Sequence, residues 1–98
     1  MKIPIFFDEA ADEVGLSEEE LVTYSILVNL FLWTVKTNHE LNQIPVDEFE
    51  QRDEKRLALE KFETQQQELM AIASERELEA FKIFVGKCTR QASLSQTP

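Results

Sequence analysis

His39 and Cys88 are the only histidine and cysteine in the chain, and they bound the nucleophilic and metal chemistry it can do. A general base needs an orienting group and a pocket, whereas His39 sits among Asn38, Glu40 and Asn42 in a polar stretch. The reading is a solvated imidazole near a helix C-terminus, where the helix dipole favours it. A dinuclear carboxylate centre would need Glu three residues before His, and that position is Lys36. Cys88 follows Lys87 and precedes Arg90, so an exposed thiolate there would be modestly favoured. No base accompanies it, and it reads as a lone thiol near a polar tail. Paired acids such as Asp12 and Glu13 are adjacent in sequence and point in different directions on a helix, which does not serve acid/base catalysis. Two glycines in the whole chain cannot build phosphate-cradling loops. The expectation is a non-enzyme with no catalytic residue, no cofactor and no metal.

Recognition is better provided for than catalysis. Within Asp8 to Glu20 stand seven acids (Asp8, Glu9, Asp12, Glu13, Glu18, Glu19 and Glu20) and no base. The net charge is −9, and it all lies in residues 1–50, where Lys2 and Lys36 face eleven acids; residues 51–98 carry eight of each sign. Such a surface repels phosphate backbones and anionic headgroups, so neither direct nucleic-acid binding nor membrane binding is expected. It suits a second protein with a basic surface. Large side chains supply the other candidate interface: Leu21, Tyr24, Ile26, Val28, Leu30, Phe31 and Trp33 in one segment, and Phe62, Leu69, Phe81 and Phe84 in another.

The elements that position these residues are helical. Only two Gly and three Pro leave little material for tight turns, so many-stranded sheets are excluded. Pro4 pushes Ile3 out of the α region, and residues 1–7 read as an extended apolar arm. Asp8 to Val14 reads as a short helix with acids in its first turn and Gly15 at the left-handed C-terminal cap. Ser17 with Glu20 forms a Ser-x-x-Glu capping box, and a second helix therefore starts near Glu18 and runs to about residue 41. Its apolar residues form two stripes, Leu21-Tyr24-Val28-Phe31-Val35 and Val22-Ile26-Leu30-Trp33. An apolar arc that wide is buried on more than one side, beyond what one partner helix covers. Pro45 suits the start of a third helix, and helix formers without Gly or Pro continue to Val85, predicting one long helix over about 45–86. Glu63 to Glu68 is the one plausible break. Phe62, Leu69, Ala73, Ala80 and Phe84 approximate a heptad seam, and residues 87–98 read as a flexible polar tail.

These readings converge on an all-α single domain, a helical hairpin or bundle completed by dimerisation. The longest apolar run, Leu21 to Val35, is interrupted by polar residues and falls short of the roughly 18–20 residues a bilayer span needs. With one cysteine and no export signal at the start, a cytoplasmic setting is expected. Two functions fit: a self-associating adaptor, assembly factor or chaperone-like partner, and an acidic inhibitor of the phage or mobile-element type that blocks a basic nucleic-acid-binding surface.

Overall fold

The computed structural model describes residues 5–96, with side chains from Phe6 to Arg90. The described residues form four helices and no strands: α1 (Ile5–Val14), α2 (Glu18–Gln43), α3 (Phe49–Ile72) and α4 (Glu75–Gln96). The chain divides into two compact units, one from residues 1–28 with 73–98, the other from residues 29–72.

The first unit packs α1, the opening turns of α2, and α4. Ala10, Ala11 and Ala80 are buried, and these small side chains let α1 and α4 approach closely. Tyr24, Leu27, Val28, Phe81 and Phe84 fill the remaining core. Burying each of the larger ones contributes about 1.5–3 kcal/mol. Gly15 ends α1 as expected, at φ 74°, a left-handed conformation that a side chain would strain. Its amide and that of Leu16 both donate to the Ala11 carbonyl, at 2.9 and 3.2 Å. The Ser17 box starts α2 as expected: the Ser17 amide donates to Glu20 Oε1 at 2.9 Å, and the Glu20 amide to Ser17 Oγ at 3.3 Å.

The second unit is an antiparallel hairpin of Asn29 to Gln43 and α3. Trp33 meets Phe62 with ring centroids 5.7 Å apart, and Lys55 Nζ lies 3.4 Å from Glu40 Oε1. Arg52 Nη1 donates to the carbonyls of Leu41 and Ile44, at 3.3 and 2.8 Å, covering acceptors that the end of α2 leaves open. Leu30 and Thr37 are buried on the α2 side, but no residue of α3 is buried.

Three expectations need correcting. The long helix over 45–86 is two helices, and its break lies at residues 73 and 74, not at 63–68, which α3 crosses intact. The cause is a second capping box: the Ser74 amide donates to Glu77 Oε1 at 2.7 Å and the Glu77 amide to Ser74 Oγ at 3.2 Å. The break also dissolves the heptad seam, placing Phe62, Leu69 and Ala73 before it and Ala80 and Phe84 after it. The start also shifts, since Pro45 to Glu48 form a turn and α3 begins at Phe49. At the N-terminus, Ile5 to Phe7 belong to α1 rather than to an extended arm; residues 1–4 lie outside the described residues. At the other end α4 continues through Gln96, so 87–96 is helix; residues 97 and 98 lie outside the described residues.

Candidate interaction surface

The seven acids belong to α1 and the first turn of α2, and the fold divides them. Lys87 of α4 reaches back between Glu9 and Glu13, with Nζ 3.5 Å from a carboxylate oxygen of each. Glu20 accepts from Arg76 Nε at 3.0 Å as well as from its own cap. The Ser17 backbone amide, and next the Arg76 guanidinium, hold the Glu20 carboxyl below the usual carboxylate range. Arg76 also donates through Nη2 to the carbonyl of Gly15, so one side chain ties the end of α1 to the starts of α2 and α4. Asp8, Asp12, Glu18 and Glu19 are exposed and form no ion pair among the described residues. The contiguous acidic run therefore becomes four outward carboxylates beside three that secure the fold. Lys87 and Arg76 come from the electroneutral half of the chain, and nothing in local spacing marks them as the partners.

Tyr24 is fully buried beneath this surface. Its ring stacks on Phe7 at 4.8 Å between centroids, and its hydroxyl donates to the Phe7 carbonyl at 2.8 Å. Burial, and then the negative charge of Asp8, push the Tyr24 phenol well above the ordinary tyrosine range. Burial likewise raises the Cys88 thiol, which is half-buried. Exposure, the condition for a thiolate favoured by Lys87 and Arg90, is not met in full, and desolvation disfavours the charged form.

The apolar candidates separate into core and surface. Tyr24, Val28, Phe81 and Phe84 lie inside the first unit; Leu21 is half-buried and Ile26 is 47% exposed. In the second unit Leu30 is buried, Phe31, Phe62 and Leu69 are half-buried, and Trp33 is 45% exposed. So the stripe containing Val22, Ile26 and Trp33, expected inside, faces outward over much of its length. Sequence reasoning also missed the exposure of Phe49, Leu57 and Ile72 on α3. Their spacings of eight and fifteen residues leave them too far apart to mark a stripe.

Shallow grooves flank the hairpin of the second unit. One of about 320 Å³ is lined by Trp33, Lys36, Thr37, Glu40 and Phe62, and another of about 480 Å³ by Phe31, Thr34, Glu63, Gln66, Gln67 and Met70. His39 is exposed, with a ring nitrogen 2.9 Å from the Gln43 side-chain amide. No three His, Cys, Asp or Glu side chains among the described residues group to hold a metal ion, and no described helix is long and apolar enough to cross a membrane. Comparison of the chain with protein-family models, with curated proteins and with solved structures finds no match.

Proposed function

We propose that the chain is a non-catalytic helical protein-protein interaction protein that self-associates, acting as an adaptor, assembly factor or chaperone-like partner. The observation that carries this reading is α3: twenty-four residues of helix without one buried residue. Isolated helices gain most of their stability from packing an apolar face, and a two-helix hairpin provides little of it. Exposed Trp33, Val35, Phe49, Leu57 and Ile72 in the same unit supply apolar surface for another chain to cover. Sedimentation equilibrium tests the reading directly. A concentration-dependent dimer or higher oligomer is expected, and a monomer throughout the accessible range would remove it.

A second reading is supported by Asp8, Asp12, Glu18 and Glu19, which are exposed and form no ion pair among the described residues. Here the acidic face occupies the cationic groove of a nucleic-acid-binding protein. Reversing Asp8, Asp12 and Glu18 to Lys should abolish competition with nucleic acid for such a groove while leaving the helix content intact. Glu20 is unsuitable for this test because its carboxylate caps α2.

A further inference from the structure

Trp33, Lys36, Thr37 and Glu40 fall at three- and four-residue spacing along α2, so they share one face of it, and Phe62 of α3 completes the groove of about 320 Å³ that they line. All of them belong to the second unit. The two rings, 5.7 Å apart between centroids and tilted by 46°, form an apolar wall, and Trp33 keeps 45% of its surface exposed beyond that contact. The two charges beside them are not equivalent. Glu40 is engaged by Lys55 across the hairpin at 3.4 Å, whereas Lys36 is exposed and forms no ion pair among the described residues. A lysine one turn before a glutamate is the weaker order for a pair along a helix, and Glu40 turns to Lys55 instead. Lys36 is also the only base between Lys2 and Arg52. Beneath it Thr37 is 7% exposed. Thr34, one turn earlier, returns its hydroxyl to the Leu30 carbonyl at 2.8 Å. Thr37 makes no such bond, and because no sealed side-chain oxygen among the described residues lacks a partner, its hydroxyl is open to the groove.

From this arrangement we infer a binding site for a small aromatic carboxylate, its ring laid against Trp33 and Phe62 and its carboxylate held by Lys36 and the Thr37 hydroxyl. Small-ligand sites are mostly apolar with a few convergent polar groups, and the groove has that make-up at the lower end of their size range. Charge decides the class of ligand. With Glu40 neutralised by Lys55, the uncompensated charge at the groove is positive, although residues 1–50 carry the whole net charge of −9. A carboxylate accepts from an ammonium and a hydroxyl at once. An amine would meet Lys36 as a like charge, and a neutral ring would leave both donors unused. The site goes beyond the self-association reading and does not depend on it, since Phe49, Leu57 and Ile72 line no part of the groove. So shallow a groove covers only part of a ligand, and the affinity is millimolar.

Trp33 is the only tryptophan in the chain, so its emission, excited beyond the tyrosine band, reports the site directly. Titrating the whole chain with 3-phenylpropionate should change that emission and saturate in the millimolar range. The amide 3-phenylpropanamide and the amine 2-phenylethylamine, which carry the same ring without the carboxylate, should give no saturation. Lys36→Gln should weaken binding by about tenfold, and Thr37→Val, which keeps the shape and removes the hydroxyl, by a few-fold. Lys36 is exposed, so its replacement leaves the hairpin in place, and far-ultraviolet circular dichroism of each variant reports that the helices persist. No saturable response to 3-phenylpropionate removes the site. Equal binding of the amide, or an affinity indifferent to either substitution, means that the groove takes any apolar ring and overturns carboxylate recognition. Tighter binding of the amine would assign the groove to Glu40 and overturn it as well.

Discussion

Tyr24 is the only tyrosine in the chain, so its titration is readable without interference. Its hydroxyl gives its hydrogen bond to the Phe7 carbonyl, and ionisation would put a buried negative charge against that oxygen. The folded phenol therefore holds its proton at a pH where the unfolded one, near 10, has lost it. When the folded state binds more protons, stability falls as pH rises, beginning near the unfolded value. Tyrosinate absorbance should thus appear together with loss of helicity in an alkaline titration, rather than before it. Tyr24→Phe removes the hydroxyl and leaves the ring stacked on Phe7, which should cost about 1 kcal/mol in urea unfolding and flatten that alkaline limb. Cys88 obeys the same sign, its thiol raised by burial. At neutral pH it should react with a thiol reagent more slowly in the native protein than in urea.

At the scale of elements, helix boundaries are set here by caps more than by breakers. Ser17 with Glu20 and Gly15 were legible because a capping box and a glycine flank an obvious apolar helix. Ser74-Glu75-Arg76-Glu77 spells the same box as Ser17-Glu18-Glu19-Glu20, yet it lies between good helix formers, with neither Gly nor Pro to interrupt them. Propensity argued for continuity, but two reciprocal side-chain bonds to backbone amides outweighed it. Ser74→Ala should therefore cost about 1 kcal/mol of stability, a loss comparable to that of Ser17→Ala. Gly86 misled in the other direction: it lies inside α4, and the chain stays helical for ten residues beyond it. The apolar content of α2 was also legible, but not its division between core and solvent, which depends on where α1, α3 and α4 come to rest. That division has a dynamic consequence. With no buried residue, α3 should open locally at far lower free energy than α4, whose Ala80, Phe81 and Phe84 are buried. Native-state hydrogen exchange at dilute concentration should find α3 amides exchanging well ahead of those around Phe84.

For the whole molecule, a net charge of −9 separates the two functional readings through their dependence on salt. Two copies of the chain repel each other at low ionic strength, and that repulsion acts over a Debye length of about 10 Å at 0.1 M salt. Apolar contact through exposed side chains such as Leu57 and Ile72 is not screened by salt. Raising salt from about 0.02 to about 0.3 M relieves that long-range repulsion, so self-association should hold or tighten. A complex built on Asp8, Asp12, Glu18 and a cationic groove must do the opposite, loosening steeply over the same range. The thermal midpoint adds an independent readout, because a ligand that binds only the folded state stabilises it by mass action, and here that ligand is the chain itself. Melting followed by circular dichroism should move to higher temperature as protein concentration rises a hundredfold, and α3 amides should gain protection in parallel. A midpoint that stays fixed over that range, at any salt concentration, would mean that the exposed faces of α2 and α3 are not covered by a second copy.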